Sequence, residues 1–315
     1  MNNKLYKKYL LPYFLILISY AHTEIFNGYT LFSPLIANQN GAMTHLINND
    51  YDILHTWFHE QGAASMPYLL PDSSIIYPYK VDFPTMAAGG VGGGVQKISW
   101  NGDIIWDYTF SDSIYQHHHD IQPMPNGNIL VLLWERHTAT QGADTEFYGG
   151  EGRGWSEMGR EEVQNPLNQM WSEAIFEIEM VGTDDINIVW EWHLWDHVVQ
   201  DVDPELPNYG VISEHPELMD INYGEVGDFD GMCGPQGDWI HFNAIDYNEG
   251  LDQIVLSSRH NSEIYIIDHS TTTEEAATHA GGNSHMGGDL LYRWGNPQVY
   301  GQGTSDDQQL DAQHG

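Results

Sequence analysis

Residues 118–135 read HHDIQPMPNGNILVLLWE, and residues 241–258 read HFNAIDYNEGLDQIVLSS. In both stretches a short strand of alternating polar and apolar residues leads through a turn rich in Asn and Gly into a second, more apolar strand. This pattern predicts a β-hairpin. The stretch YLLPDSSIIYPY at 68–79 has the same form, so the hairpin recurs along the chain and indicates an internal repeat.

A second kind of hairpin occurs four times, and each copy ends in a strand that carries a tryptophan. The copies are THLINNDYDILHTW at 44–57, VQKISWNGDIIWDY at 95–108, IFEIEMVGTDDINIVWEW at 175–192, and EIYIIDHS at 263–270, which resumes after an insertion as DLLYRWG at 289–295. The two kinds of hairpin together make a four-stranded antiparallel unit. Short, evenly spaced strands with one Trp per unit and almost no helical periodicity predict an all-β fold, a β-propeller. The repeats account for roughly three and a half blades, and the stretches at 139–170 and 196–238 are interpreted as loops on the propeller faces.

The composition restricts the function. The chain has 315 residues, 41% of them hydrophobic, which is enough for a sizeable core. It has 45 Asp and Glu against 10 Lys and Arg, and this balance argues against a nucleic-acid partner because such proteins need basic patches. We interpret the acidity as adaptation to salt, with calcium in acidic loops as the alternative. The carboxylates at 201–205 and 227–231 have calcium-like spacing without a full ligand set, so we expect solvated turns there and structural calcium as the alternative.

The two ends of the chain carry their own signals. Residues 1–21 combine a basic start, an apolar run over Tyr9–Ile18 and small residues before position 22, which is typical of a secretory signal peptide. We therefore expect a periplasmic or secreted protein with no membrane insertion once the signal is removed. The only cysteine, Cys233, excludes an intramolecular disulfide. The sequence ends where the repeat would open another strand, so we expect residues 22–315 to be a propeller that lacks its last blade or blades.

Histidines recur where the blades begin. His119 and His241 each begin the first hairpin of a blade, and His314 occupies the equivalent place at the end of the chain. Because the first strand of a propeller blade lines the central channel, we expect the three imidazoles to converge. Arg259 follows His241 by 18 residues, at the end of the paired strand, and is one of only five arginines. A rare cation beside imidazoles favours a pocket for an anionic group, although histidines that bond to backbone carbonyls would give the same pattern.

The neighbours of these histidines are weaker candidates. Alternation puts His117 and His119 on one side of the strand and His118 on the other, and it leaves open which side faces the channel. We take His118, Trp239 and Asn243 as candidate substrate contacts, and we expect His193, His197 and His215 to be loop or packing residues. The glycine run at 89–95 fits no phosphate-binding fingerprint, so a nucleotide cofactor is disfavoured.

Taken together, HHDIQPMPNGNILVL, HFNAIDYNEGLDQIVLSSR and the terminal QHG after LLYRWGNP resemble the bacterial arylsulfotransferases, the aryl-sulfate sulfotransferases of the periplasm. The resemblance runs over nearly all of the chain after residue 21. It implies a six-bladed propeller that transfers a sulfuryl group between phenols by a ping-pong mechanism, without a nucleotide sulfate donor or another cofactor. The partners are then a phenolic sulfate donor and a phenolic acceptor.

The resemblance also implies residue roles. The nucleophilic histidine of the family matches His314, which would carry the sulfuryl group as a sulfohistidine. Further active-site residues match His241, Arg259 and one histidine of the HHHD run, for which we take His119. Two other functions remain open from the residues themselves: a non-catalytic propeller that binds a ligand or protein through its loops, and a metal-dependent hydrolase or oxidoreductase that uses the histidine cluster.

Overall fold

The computed structural model describes residues 26–34, 41–142, 150–227 and 234–314. Almost all regular structure in these ranges is β-strand, which confirms the all-β prediction. The strands are β1 (Thr30–Phe32), β2 (Ala42–Ile47), β3 (Ile53–His59), β4 (Tyr68–Leu69), β5 (Ile75–Lys80), β6 (Gly93–Ile98), β7 (Ile104–Thr109), β8 (Tyr115–Pro123), β9 (Ile129–Thr138), β10 (Gln169–Val181), β11 (Asp185–His193), β12 (Val198–Val199), β13 (Met219–Asp220), β14 (Phe242–Asn248), β15 (Gln253–Ser258), β16 (Glu263–Asp268) and β17 (Tyr292–Trp294). One short helix, α1 (Thr273–Ala276), and four 3-10 turns complete the described part: Leu194–Asp196, Ile212–Glu214, Pro297–Tyr300 and Ser305–Asp307.

The strands form blade-like sheets in chain order. Three sheets have four antiparallel strands, β4 to β7, β8 to β11 and β14 to β17, and a further sheet contains β1 to β3. Each predicted hairpin is present, although β10 begins at Gln169, inside the stretch interpreted as a loop. The second predicted loop, at 196–238, contains the short parallel pair β12 and β13. Six blades and a closed ring stay predictions.

The repeat tryptophans link successive sheets. Trp57, Trp106 and Trp190 are buried, and the indole N–H of each donates a hydrogen bond to the following sheet. The acceptors are the Ser99 carbonyl at 2.9 Å, the Asp185 carbonyl at 2.9 Å and the Thr271 hydroxyl at 3.1 Å, in that order. Trp294, at the equivalent place on β17, is 44% exposed. The repeated Trp therefore has a physical reason, since one buried ring both fills and hydrogen-bonds each junction between sheets.

The first strands of the three four-stranded sheets meet around Asp120 of β8. Its carboxylate accepts from the Tyr68 hydroxyl of β4 at 3.2 Å and from the Ile245 backbone N–H of β14 at 3.2 Å. Burial raises the pKa of Asp120, and these hydrogen bonds oppose the rise. This convergence brings the blade-start positions of the repeat together, as the sequence predicts.

Several expectations concern residues that lie wholly or partly outside the described ranges. The predicted signal peptide at 1–21, Cys233 and most of the acidic stretch at 227–231 lie outside the described residues. In the stretch at 201–205, the Asp203 carboxylate accepts from the Glu205 backbone N–H at 3.0 Å, which is an ordinary turn contact. In the part of the chain that is described, no helix is long and apolar enough to cross a membrane.

Candidate active site

The three blade-start histidines come together. The ring centroids of His119 and His241 are 4.5 Å apart, and the ring of His314 lies 5.5 Å from the first and 5.6 Å from the second. One nitrogen from each of the three rings lies within 4.8 Å of the other two. Residues more than 190 positions apart in the sequence thus form one cluster of imidazoles.

Within the HHHD run, His119 is the histidine that faces this cluster. A bulge between His117 and Ile121 interrupts the pairing of β8 with β9, and His119 takes a left-handed φ of 50°. His117 is fully buried, and its Nδ1 accepts from the Gly93 backbone N–H at 3.1 Å. His118 stacks on Trp134 with 4.3 Å between ring centroids. The bulge therefore settles what alternation along the strand leaves open.

The glycine run at 89–95 makes room for the histidines. A Cβ at Gly90 would lie 2.1 Å from His119 Nε2, and one at Gly92 would lie 2.5 Å from His117 Nδ1. The Gly90 carbonyl also accepts the His119 backbone N–H at 2.7 Å. This run fits no phosphate-binding fingerprint, and the structure shows it to be the surface on which the rings of His117 and His119 pack.

Asp238 holds His241 in place. His241 Nδ1 and Asp238 Oδ2 share a hydrogen bond, and Asp238 Oδ1 accepts from Trp134 Nε1 at 3.1 Å. Burial raises the pKa of Asp238, but the hydrogen bond and charge of His241 outweigh it and hold that pKa below its usual value. His241 also has a left-handed φ, of 58°. An ionised Asp238 makes His241 Nδ1 a donor, so Nε2 is the nitrogen left for a ligand.

A second buried acid supports His119 through His118. Glu173 Oε2 lies 2.9 Å from His118 Nε2, and His118 Nδ1 lies 3.0 Å from His119 Nδ1. Burial, with the charge of Asp238, raises the pKa of Glu173 well above its usual value, while burial lowers the pKa of His118 to about 3. With Glu173 protonated and both rings neutral, each group donates to the next, and the proton of His119 lies on Nε2. His119 Nε2 is then a hydrogen-bond donor.

His314 is held at the cluster by the residue before it. The Gln313 side-chain amide donates to the Ser258 and Glu263 carbonyls, each at 2.9 Å, and the Gln313 carbonyl accepts from Asn243 Nδ2 at 2.7 Å. The His314 side chain is exposed. Partial burial and the charges of His241 and Arg259 lower its pKa, which favours a neutral imidazole with a lone pair.

Arg259 differs from the other arginines. Those four bond to carboxylates or backbone carbonyls: Arg136 to Thr85, Arg153 to Asp196, Arg160 to Ile221 and Gly224, and Arg293 to Glu263. Among the described residues no carboxylate pairs with the Arg259 guanidinium, which is exposed and lines an open pocket of about 550 Å³. Its backbone N–H donates to the His241 carbonyl at 3.0 Å. A cation beside the cluster is thus available to an anionic ligand.

The other candidate contacts lie around this cluster. Trp239 is buried and lines the same pocket as Arg259, and Asn243 is buried where it bonds to Gln313. His118 is fully buried, with both ring nitrogens bonded. A role for these three in substrate binding stays a prediction.

Two buried carboxylates bond to histidines of the candidate site and are not among the residues that the sequence predicts. Asp238 stands three residues before His241, and Glu173 lies on β10, opposite Trp134 of β9. In a chain with 45 acidic residues a single carboxylate carries no distinguishing signal. Burial and an imidazole partner distinguish these two, and only the fold reveals both.

A third buried acid, Glu135, contacts two histidines that lie outside the imidazole cluster. Glu135 Oε2 lies 3.2 Å from His193 Nδ1 and 3.6 Å from His137 Nε2. Burial raises the pKa of Glu135, yet the charges of both histidines outweigh this and lower it to about 2. Burial lowers the pKa of His193, but the Glu135 carboxylate more than compensates and raises it to about 9. This ion pair contributes to the fold and contacts none of the three clustered imidazoles.

Two sets of side chains here have atoms close enough to share a metal ion. They are His119, His241 and His314, and Asp238, His241 and His260. Both sets include His241, whose Nδ1 is already bound to Asp238. Arg259 lines the pocket beside His260, and a fixed cation there disfavours a divalent ion. The arrangement fits an anion better than a metal.

The comparisons with known proteins agree with the family resemblance. Residues 171–275 match the arylsulfotransferase (ASST) family, and the matched segment contains Asp238, His241 and Arg259. The match confirms the resemblance in this part of the chain. No curated protein sequence matches the chain.

Solved structures match the chain only distantly. One is a protein of unknown function from Bacteroides caccae, with 11% identity and a TM-score of 0.37, covering 84% of this chain and 57% of that chain. Another is the hydrazine synthase of Kuenenia stuttgartiensis, with 10% identity and a TM-score of 0.40, covering 85% of this chain and 59% of that chain. The chain therefore spans less than two thirds of either protein.

Proposed function

We propose that this chain, which matches the arylsulfotransferase family over residues 171–275, is an aryl-sulfate sulfotransferase. It moves a sulfuryl group from a phenolic sulfate ester to a phenolic acceptor and uses no nucleotide sulfate donor. The observation that carries the proposal is the cluster of three imidazoles beside an arginine that pairs with no described carboxylate. Such a set offers a neutral nucleophile, hydrogen-bond donors and a fixed cation for an anionic ester.

In the first displacement, a lone pair of His314 attacks the sulfur of the donor ester. A nitrogen–sulfur bond forms, the bond between sulfur and the phenolic oxygen breaks, and the enzyme is left as a sulfohistidine. The lowered pKa of His314 supports this role because an imidazole must be neutral to attack at pH 7. Arg259 and the Nε2–H of His119 donate to the sulfuryl oxygens, where negative charge is spread.

We assign the proton transfers to His241. With Nδ1 bonded to the buried Asp238, protonated His241 gives its Nε2 proton to the leaving phenolic oxygen. In the second displacement the acceptor phenol returns a proton to His241 Nε2 as its oxygen attacks sulfur, and the nitrogen–sulfur bond breaks. The carboxylate stabilises the protonated ring in each cycle. A periplasmic or secreted location, set by residues 1–21, is part of the same proposal.

Direct detection of the covalent intermediate tests this function. The full chain is mixed with 4-nitrophenyl sulfate, quenched with alkali, digested and analysed by mass spectrometry. We expect a burst of 4-nitrophenol and one SO₃ group on the peptide that contains His314. The burst and the adduct should vanish in His314→Ala and persist in His285→Asn, a change at an exposed histidine whose left-handed φ of 62° Asn tolerates.

Other outcomes distinguish the alternatives. Turnover that continues in His314→Ala, with no adduct in the parent chain, would contradict the mechanism. Binding of the donor without release of 4-nitrophenol would indicate a non-catalytic propeller. Loss of transfer on treatment with a chelator, together with a bound metal that is present in the parent chain and lost in His314→Ala, would indicate that the imidazole cluster binds a metal instead.

A further inference from the structure

A second cluster of imidazole and carboxylate groups lies at the edge of another pocket, with a volume of about 530 Å³. It consists of His197, which follows the Leu194–Asp196 turn, His279, which follows α1, and Asp289, which precedes β17. None of these three residues belongs to the cluster of His119, His241 and His314. From the sequence, His197 was expected to be a loop or packing residue.

The three side chains converge on one oxygen atom. His197 Nδ1 and His279 Nδ1 each lie 2.8 Å from Asp289 Oδ1. His197 is fully buried and the Asp289 side chain is 6% exposed, whereas the His279 side chain is 61% exposed at the mouth of the pocket. Two imidazole nitrogens and a carboxylate oxygen from separate segments thus lie within 4.8 Å of one another.

The orientation of the His197 ring is fixed by its other nitrogen. His197 Nε2 lies 2.8 Å from the Ala276 carbonyl, which can only accept, so the proton of a neutral ring is on Nε2. Nδ1 of that neutral ring then faces Asp289 Oδ1 with a lone pair, so the contact is favourable only when a proton or a metal ion lies between the two atoms. Metal-ligating histidines commonly have their second nitrogen bonded to a backbone carbonyl in this way.

The surroundings hold this ring rigidly. Trp192 stacks parallel to His197, with 5.6 Å between ring centroids and 5° between planes, and its Nε1–H donates to the Gly288 carbonyl at 2.7 Å. A Cβ at Gly288 would lie 2.6 Å from His197 Nε2, so the backbone touches the ring edge. One ligand of the set is therefore preorganised before any ion binds.

We infer that His197, His279 and Asp289 form a binding site for a divalent transition metal of the zinc class, with a fourth coordination position open to the pocket. Two imidazoles and one carboxylate are a usual protein ligand set for zinc when a water or ligand completes the tetrahedron. Zinc bonds of about 2.0–2.1 Å place ligand atoms roughly 3.3 Å apart. The ligand atoms must then separate by about half an ångström. The exposed His279 side chain can move, and the Asp289 carboxylate must turn slightly away from the fixed His197 ring.

Zinc titration of the full chain tests the site. After stripping with a chelator, isothermal titration with zinc chloride should show one site, and cobalt(II) should give the intense visible absorption of a tetrahedral complex. Zinc should also raise the unfolding temperature, because an ion that binds only the folded chain stabilises it. We expect His279→Ala and Asp289→Asn each to weaken zinc binding about tenfold or more.

Control variants separate this site from other histidines. His215→Ala changes a histidine that lines the same pocket and pairs with Glu217 at 2.9 Å, so it should leave zinc binding unchanged. His314→Ala should also keep the site, since it alters only the imidazole cluster of the proposed transfer reaction. Because His279 is exposed, His279→Ala remains informative if Asp289→Asn fails to fold. Absence of zinc binding, or equal zinc affinity in His279→Ala and the parent chain, would overturn the inference.

Discussion

Gly90→Ala is the sharpest single test of the proposed transfer site. A Cβ at Gly90 would lie 2.1 Å from both Cε1 and Nε2 of His119, and the Gly90 carbonyl accepts the His119 backbone N–H. The added methyl group therefore acts on the imidazole without changing any polar group. The ring of His119 must therefore shift or rotate from its position beside His241 and His314.

The size of the effect follows from these distances. Favourable carbon contacts lie at about 3.5–4.0 Å, so the ring has to retreat by more than about 1 Å. A displacement of that size at a reacting centre costs about a hundredfold in rate. Gly90 also has a φ of +79°, and an alanine in this left-handed region costs roughly 1–2 kcal/mol of folding free energy.

Gly102→Ala separates the two effects. Gly102 has a φ of +91°, and a Cβ there would meet nothing within 4 Å, so it carries the backbone strain without the contact. In urea denaturation we expect both variants to lose stability through backbone strain, and Gly90→Ala to lose roughly 1–3 kcal/mol more because its methyl group overpacks against His119. In transfer assays with 4-nitrophenyl sulfate and a phenolic acceptor, Gly90→Ala should lose about a hundredfold in kcat/KM relative to Gly102→Ala. A difference below threefold would refute the role assigned to His119.

Three further predictions concern buried acids. Asp238→Asn should lower kcat about 10²–10⁴-fold because an amide cannot stabilise the protonated imidazole. Trp134→Phe removes the indole hydrogen bond to the same carboxylate and part of the ring that stacks on His118, but it keeps the carboxylate and should lower kcat far less. Near-equal rates in the two variants would contradict the proton-transfer role. Glu173→Gln should change kcat by only a few-fold, since an amide N–H can replace the protonated acid as the donor to His118, whereas Glu173→Ala should lower kcat much more. A large loss of kcat in Glu173→Gln would indicate that Glu173 is ionised. The pKa of His193 is raised to about 9, so its pairing with Glu135 stabilises the fold fully below pH 6.5. The free energy of unfolding then falls as the pH rises towards 9, by at most about 1.4 kcal/mol per pH unit. Urea denaturation from pH 6.5 to 9 should show this loss in the parent chain and not in His193→Gln.

The sequence predicted the repeating part of the fold well. Strand alternation and turn residues are local properties, and each hairpin that they predict is present, from β2 and β3 to β16 and β17. The Trp of each repeat also follows from the sequence, because a large ring at a fixed repeat position must fill equivalent junctions. The structure of the irregular stretches could not be predicted from local patterns. The parallel pair β12 and β13, for example, joins two segments that share no such pattern.

The candidate site also combines residues that the sequence predicts with features that only the tertiary structure shows. The repeat by itself aligned His119, His241 and His314, and the scarcity of bases singled out Arg259. Only the tertiary structure decided that His119 faces the cluster, because a bulge and a left-handed φ aim its ring.

The supporting residues came from the fold alone. Glu173 and the run around Gly90 are ordinary residues in the sequence, and so is Asp289 beside His197. Their importance depends on burial and on contacts between distant segments. A buried carboxylate such as Glu173 needs a hydrogen-bond partner. The His119 ring can lie this close to the backbone at Gly90 only because glycine has no Cβ. Local sequence therefore determined the strands and the candidate histidines, while long-range packing determined which groups hold those histidines in place.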